Sequence, residues 1–257
     1  MDRLQPARES KPARRLGDAI AIPGDYQHRA LTQGPRVQRH WHRSKLELLD
    51  WFMPPRAGGR ALDIGCGSGV FADALERRGL EVVAIDANPA AIAYGRETFA
   101  REGLEFRHGL LDELELEPSS FDYVTCLEVL EHILPPQIEK LLGETRKLLV
   151  PGGQLLVTTP NYRGVWPLVE WGADRFAPTA TMADDQHVTR LHRGLLRDLL
   201  VRADLEVVEI RTFCTFAPFA AVLGATVARL ADRVERAVDL PFGSLLVACC
   251  RRHPAPG

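Results

Sequence analysis

Two acidic residues and three glycines have the spacing of a site for a nucleotide-type ligand. An apolar run leads into the pattern Asp-x-Gly-x-Gly-x-Gly, which begins at Asp63. Its glycines are Gly65, Gly67 and Gly69. Glycines are needed because the turn is tight and a ligand must lie against bare backbone at the start of the next helix. Asp86 ends the following apolar run, where an acid would accept hydrogen bonds from both hydroxyls of a ribose.

The glycine pattern departs from that of a dinucleotide site. The fingerprint Gly-x-Gly-x-x-Gly, counted from Gly65, requires a glycine where this chain has Val70. The carboxylate of Asp63 would also repel a pyrophosphate, whereas it suits a cationic group. The sequence therefore favours a ligand with an amine or a sulfonium over a nicotinamide dinucleotide, and it disfavours an NAD-dependent dehydrogenase.

A second group of chemically active residues follows the fourth apolar run. If this segment is a helical turn, Glu128, Glu131 and His132 share one face that points toward a substrate. His132 could act as a general base toward a substrate hydroxyl, because an imidazole with a pKa of roughly 6.5 accepts protons near neutrality. Alternatively, these three residues and His187 could bind a divalent metal that lowers the pKa of that hydroxyl. A third interpretation is that the residues only shape the turn.

The elements that must position these residues alternate along the chain. Short apolar runs are separated by helical patterns in the first part of the chain, which predicts an α/β fold with a mostly parallel sheet and helices on both faces. The last two runs lack an obvious crossover and predict an antiparallel edge of the sheet. The runs span 61–64, 80–85, 104–107, 121–127, 154–159, 205–210 and 244–249.

Together these motifs resemble class I S-adenosylmethionine-dependent methyltransferases, especially the ubiquinone-biosynthesis O-methyltransferase group. The resemblance is carried by residues 45–161, is weaker over 187–210, and is absent from 1–40 and 212–240. It implies a Rossmann-like sheet of seven mostly parallel strands with helices on both faces and an antiparallel last strand. It also implies S-adenosylmethionine lying across the ends of strands one, two and four.

The resemblance assigns cofactor contacts to particular residues. Asp63 and the backbone from Gly65 to Gly69, including Cys66, would hold the methionine portion, and Asp86 with its neighbour Ala87 would hold the ribose. Lys45 stands where relatives often have an arginine near the cofactor carboxylate, and Leu127 would contact the cofactor through its backbone.

The adenine contact departs from the family pattern. Relatives usually carry a Gly-Asp pair after the third strand, whereas this chain reads Gly109-Leu110-Leu111-Asp112. The resemblance therefore leaves two alternatives, the backbone around Leu110 or the carboxylate of Asp112.

The function that we expect is O-methylation of a small or lipid-like hydroxylated acceptor, with His132 and Glu128 as catalytic residues. One alternative is a metal-dependent methyltransferase of RNA ends, and another is a cofactor-binding partner subunit without activity. Tyr26, His40, Trp41 and His42 are candidates for an N-terminal lid.

Composition limits the partners and the compartment. The 257 residues include 32 Lys and Arg against 34 Asp and Glu, so the overall positive charge expected of a nucleic-acid-binding protein is missing. A small-molecule partner is therefore expected, and no nucleic acid. The five cysteines form no Cys-x-x-Cys pair, which favours a reducing, cytoplasmic location.

The ends and insertions of the chain differ from its central part. Met1–Leu16 is polar without an apolar segment, so it predicts a disordered tail in a basic arm (1–40) instead of a secretory signal. Residues 41–250 are predicted as one domain with insertions at about 162–186 and 212–240. The uncharged run 212–228 is shorter than the ~20 residues of a membrane span and predicts a buried or interfacial helix. An interfacial helix would bring 212–238 to a membrane surface.

Overall fold

Seven strands form one sheet in the order β3-β2-β1-β4-β5-β7-β6. Neighbouring strands are parallel from β3 to β5, and β7 is antiparallel to both β5 and β6. The sheet predicted from the sequence, with its antiparallel last strand, is therefore confirmed. The strands are β1 (Arg60–Ile64), β2 (Glu81–Asp86), β3 (Leu104–His108), β4 (Phe121–Leu127), β5 (Leu149–Pro160), β6 (Leu205–Phe213) and β7 (Leu245–Arg252).

The computed structural model describes residues 22–54, 56–176 and 187–254. The tail predicted over Met1–Leu16 lies outside these residues, as does the later part of the predicted insertion 162–186. The α-helices of the described ranges are α1 (Tyr26–Thr32), α2 (Arg36–Phe52), α3 (Val70–Glu76), α4 (Pro89–Phe99), α5 (Pro135–Leu148), α6 (Trp166–Phe176), α7 (Arg193–Arg202), α8 (Ala217–Ala220) and α9 (Ala225–Ala237).

Helices cover both faces of the sheet, as predicted. Successive strand residues point to opposite faces, so Leu62 packs with Leu142 of α5 and Leu196 of α7. Its neighbour Ala61 points to the opposite face, where it belongs to a second hydrophobic cluster with Leu49 of α2 and Leu75 of α3. The central strands are buried on both sides, which explains their continuous apolar sequences.

Local signals set where α4 begins. Asn88 has an extended backbone, and its side chain accepts hydrogen bonds from the backbone N–H groups of Ala90 and Ala91. Pro89 occupies the first helical position, where a missing N–H removes no helical hydrogen bond. The predicted cap is confirmed, and it fixes the backbone directly after Asp86.

Two segments differ from the sequence-based expectations. The predicted arm boundary at residue 40 falls inside α2, so no break in structure separates arm from domain there. The uncharged run 212–228 forms no single helix, because α8 ends at Ala220 and α9 begins after Gly224. Within the described ranges, no helix combines the length and apolar character that crossing a membrane requires.

Candidate active site

The glycine turn after β1 is held in backbone conformations that favour glycine. Gly65 has φ +71°, and a Cβ atom there would lie 2.3 Å from Cγ2 of Val129. Gly67 has φ +52°, and a Cβ atom there would lie 2.5 Å from Oε1 of Gln27 in α1. The predicted tight turn is confirmed, and the side chains of Val129 and Gln27 occupy the space that a Cβ atom at Gly65 or Gly67 would need.

Asp86 ties this turn to the end of β2. Its Oδ2 accepts a hydrogen bond from the backbone N–H of Gly67 at 2.8 Å, and its Oδ1 accepts one from Asn88 at 2.7 Å. Burial raises the pKa of this carboxyl, although both backbone donors oppose the rise. Each carboxylate oxygen can accept a further hydrogen bond, so the predicted role toward a ribose stays compatible with the geometry.

Asp63 is buried, and only one of its two carboxyl oxygens accepts a hydrogen bond from the described residues. Its Oδ1 accepts a hydrogen bond from the Thr125 hydroxyl at 2.7 Å, whereas Oδ2 is buried without a hydrogen-bond partner among the described residues. Burial raises the pKa of Asp63 to about 7, Thr125 opposes the rise and the charge of Asp86 adds to it. An orphaned acceptor at this position is suited to a donor from a bound ligand.

A small cavity of about 50 Å³ opens beside this carboxyl. Six predicted residues line it, namely Lys45, Asp63, Gly65, Cys66, Leu127 and Glu128. His42, predicted as part of a lid, lines it as well.

Four lining residues were missed by the sequence analysis: Gln27, Leu46, Val70 and Phe71. Val70 and Phe71 directly follow the glycine pattern and could have been found from that position. Gln27 comes from α1, where the sequence has no motif that indicates proximity to the turn. The other predicted residues, Gly67, Gly69, Asp86, Ala87, Leu110 and His132, are not among the lining residues.

Lys45 and Glu128 form an ion pair on the cavity wall. The Lys45 Nζ lies 2.6 Å from Oε2 of Glu128, whose Oε1 accepts a hydrogen bond from the Thr158 hydroxyl at 3.2 Å. Glu128 has φ +57°, an uncommon conformation for a residue with a side chain. Burial, and then the charge of Lys45, lower the pKa of His42 to about 3, so this imidazole is neutral at physiological pH.

The segment after β3 lies apart from the cavity lining. The Leu110 N–H donates to Oε2 of Glu113 at 3.0 Å, and the Ala87 carbonyl lies 3.1 Å from Nε2 of His108. The carboxylate of Asp112 is 2.6 Å from Nζ of Lys140, and both side chains are exposed. Both adenine alternatives therefore stay predictions, because the Leu110 N–H and the Asp112 carboxylate each already have a partner within the chain.

The predicted group of acids and histidines separates into two parts. Leu130–His132 is a single 3₁₀ turn, and the left-handed backbone of Glu128 precedes it. The expectation that Glu128 shares a helical face with Glu131 and His132 is therefore wrong. Glu131, His132 and His187 instead form a cluster whose candidate ligand atoms lie within 4.8 Å of one another.

Glu131 is the buried member of this cluster. Its Oε2 accepts a hydrogen bond from the Thr159 hydroxyl at 3.0 Å, and its Oε1 lies 3.9 Å from Nε2 of His132. Burial, followed by the negative charge of Glu128, raises the pKa of Glu131. This electrostatic effect links the cluster to the cavity wall, because Glu128 lines the cavity.

His187 is oriented by groups from α6 and the segment before it. Its Nδ1 lies 2.9 Å from Oε1 of Glu170 and 2.9 Å from the Tyr162 hydroxyl, which donates to the same carboxylate oxygen at 2.7 Å. The rings of His187 and His132 are 5.1 Å apart. Because Nδ1 is engaged, Nε2 is the His187 nitrogen left to face the cluster.

Known proteins share the sequence and fold of this site. A family model described as a methyltransferase domain matches residues 35–210. The ubiquinone biosynthesis O-methyltransferase of Xylella fastidiosa is 37% identical over 110 residues, covering 42% of this chain and 44% of that protein. The protein of the same name from Azotobacter vinelandii is 39% identical over 108 residues, covering 41% and 46%. The chain thus spans less than half the length of these two relatives.

A solved structure shows the same architecture. The S-adenosylmethionine-dependent methyltransferase from Mesorhizobium loti superposes with a TM-score of 0.60 at 21% identity, covering 80% of this chain and 98% of that chain. The family match covers the glycine turn, Asp86, the acid and histidine residues after β4, and α7. This chain belongs to the methyltransferase domain family.

Proposed function

We propose that this protein transfers a methyl group from S-adenosylmethionine to a hydroxyl of a small or lipid-like acceptor. The observation that carries the proposal is the buried carboxyl of Asp63, which lines a cavity beside the glycine turn. Its Oδ2 has no hydrogen-bond partner among the described residues. The two relatives named as ubiquinone biosynthesis O-methyltransferases support oxygen as the acceptor atom.

The residues present fit this cofactor. Asp63 Oδ2 has no hydrogen-bond partner among the described residues and could accept from the cofactor's ammonium group, while Lys45 lies on the same wall for its carboxylate. Asp86 keeps lone pairs for ribose hydroxyls, and Leu127 lines the cavity. When bound, the cofactor would supply a methyl carbon that is electrophilic because it is attached to a sulfonium.

The contribution of the chain to catalysis would be mainly positioning. Phe71, Leu46 and Leu127 line the cavity with apolar surface that would exclude water, and Glu128 lies on the same wall for contact with either ligand. Alignment of an acceptor oxygen with a methyl carbon at about 3 Å supplies most of the rate in such a displacement.

His132 would take the proton from the acceptor hydroxyl. The Glu131 carboxyl lies 3.9 Å from its Nε2 and, in its ionised form, would stabilise the imidazolium that results. Because His132 is not among the residues that line the cavity, the acceptor would have to extend from the cavity toward the cluster.

Calorimetry with S-adenosylhomocysteine tests the cofactor site. Asp63→Asn should weaken binding by at least about tenfold, because it replaces the charge that pairs with the ammonium. Asp50→Asn is the matched control. Asp50 is exposed, pairs with Arg78 and is not among the residues that line the cavity. Equal affinity of wild type and Asp63→Asn would contradict the cofactor assignment.

An acceptor screen tests the second half of the proposal. Release of S-adenosylhomocysteine should be faster with hydroxylated aromatics that carry an apolar tail than with the same ring without one. His132→Ala should reduce turnover while leaving S-adenosylhomocysteine affinity intact. If only amines or carboxylates support turnover, the proposed hydroxyl acceptor is wrong, while the cofactor assignment is unaffected.

A second candidate chemistry uses a divalent metal. Glu131, His132 and His187 offer three ligand atoms, and the hydrogen bond from His187 Nδ1 to Glu170 is the type of support that metal-bound histidines have. Such a metal would lower the pKa of the acceptor hydroxyl. The RNA-end substrate considered with it gains no support from the net charge of -2.

Titration with Zn²⁺ or Mn²⁺ separates the two chemistries. If the metal candidate is right, calorimetry will show one site, and His187→Ala will remove it. Glu170→Gln should weaken metal affinity by about tenfold or more through loss of the support to His187. His253→Ala is the control, because His253 is exposed near the end of β7. Absence of metal-binding heat in the wild type would leave His132 as the base.

A further inference from the structure

Helix α9 buries acidic side chains and exposes apolar ones. Its acids face inward, with Asp232 6% and Glu235 5% exposed. Its larger apolar side chains face outward, with Leu230 62% and Val234 56% exposed. A surface helix of a globular protein normally buries its apolar stripe and exposes its charges. The apolar stripe of α9 therefore has no partner among the described residues.

The buried acids fix this orientation. Glu235 accepts hydrogen bonds from the backbone N–H groups of Thr215, Phe216 and Ala217, at 2.9, 2.5 and 2.8 Å. Oδ2 of Asp232 lies 2.8 Å from Nε2 of His40 in α2. Rotation of α9 to bury the stripe would break these contacts, so exposure of the stripe follows from the fold itself.

The stripe continues into a larger apolar patch. Along α9 the exposed residues recur at helical spacing, and further exposed apolar side chains come from α8, the turn after it and the loop before β7. The rings of Phe216 and Phe242 are 6.5 Å apart. We define the apolar patch as Phe216, Phe219, Val222, Leu223, Val227, Leu230, Val234, Val238 and Phe242.

The exposed charges within residues 213–238 are positive, and the exposed acid that follows, Asp239, is paired with Arg193. Between residues 213 and 238 the only acids are Asp232 and Glu235, and both are buried, whereas Arg229 and Arg233 are exposed. Arg36 of α2, also exposed, donates a hydrogen bond to the carbonyl of Val222 within the patch. A positively charged border around exposed apolar side chains is complementary to a surface with anionic groups above an apolar interior.

We propose that the apolar patch docks the protein on an anionic phospholipid surface. The apolar side chains would enter the boundary between headgroups and acyl chains, while Arg36, Arg229 and Arg233 would remain at the level of the phosphates. A second copy of this chain would bring like-charged borders together, which makes the lipid surface the better occupant. The inference stands on the patch alone and does not depend on methyl transfer.

Vesicle co-sedimentation tests the docking. The wild type should bind phosphatidylcholine vesicles that contain phosphatidylserine better than pure phosphatidylcholine, and added salt should weaken the binding. Leu230→Ser/Val234→Ser should reduce partitioning by about tenfold or more. Arg229→Gln/Arg233→Gln should remove the preference for the anionic vesicles.

Matched controls show whether an effect on vesicle binding is specific to the apolar patch. Val201→Ser/Val208→Ser changes two valines that are 56% and 51% exposed but lie on α7 and β6, outside the patch, so it should bind as the wild type does. Thermal unfolding of each variant checks that folding is unchanged. Failure of the wild type to bind vesicles, or equal binding by Leu230→Ser/Val234→Ser, would overturn the proposal. A dimer that the same variant abolishes, without vesicle binding, would assign the patch to a second copy.

Discussion

Asp63 combines burial, a single hydrogen bond and a neighbouring negative charge in one side chain. Burial dominates and raises its pKa to about 7, against 3.8 for the unperturbed group. Between these values the folded protein keeps a proton that the unfolded chain has lost, so this residue makes stability fall as pH rises from about 4 to 7. A ligand that brings positive charge would reverse this cost by favouring the ionised form.

The affinity for S-adenosylhomocysteine should therefore increase with pH. Asp63 must ionise to pair with the ligand ammonium, which belongs to a free amino acid and stays protonated over this pH range. We expect about a fivefold gain in affinity between pH 6 and 7.5, with release of protons on binding. Calorimetry in buffers of different ionisation enthalpy measures both quantities.

The same experiment on Asp63→Asn provides the control. This variant has no proton to release at residue 63, so its weaker binding should show little change over that pH range. An unchanged pH dependence in Asp63→Asn would mean that another group is responsible, and Asp86 would be next to examine because burial raises its pKa too.

At the scale of elements, α1 lies over the glycine turn. Gln27 occupies the space beside Gly67, and the backbone N–H of His28 donates to the Ser68 hydroxyl at 3.0 Å. The His28 imidazole lies 2.6 Å from the hydroxyl of Tyr94 in α4. These contacts connect α1 to the elements on both sides of the turn, so α1 is part of the site's architecture.

The junction of α8 and α9 depends on one carboxylate. Glu235 satisfies three backbone donors around the start of α8. Glu235→Ala should lower the free energy of unfolding by about 2–4 kcal/mol, because three backbone N–H groups, two of them buried, would lose their acceptor. Urea denaturation measures this change. Glu206→Ala on β6 is exposed and should change stability by less than about 0.5 kcal/mol.

Loss of Glu235 should also weaken vesicle binding, because the orientation of α9 would no longer be fixed. A Glu235→Ala variant with wild-type stability would show that packing alone holds α9, and the argument for a fixed apolar stripe would then fail. The stability of Glu235→Gln should fall between those of the wild type and Glu235→Ala, since the glutamine amide retains one acceptor oxygen.

At the scale of the whole molecule, local signals explain which features could be predicted. The glycine turn and the Asn88 cap depend on residues adjacent in sequence, and the strands follow from apolar runs. Separation of Glu128 from Glu131 could not be predicted, because it depends on a left-handed residue and an ion pair with Lys45 83 positions away. The contact of Gln27 with the turn is non-local in the same way.

Helix α2 connects the apolar patch with the cavity. His40 contacts α9, and Lys45, five positions later and therefore about 8 Å along the helix axis, lines the cavity. If the protein docks on lipid and acts on a lipid-like acceptor, both partners would meet by lateral diffusion in the bilayer plane. The reaction rate would then follow the mole fraction of acceptor in the membrane, and dilution with inert lipid would slow it at constant bulk concentration.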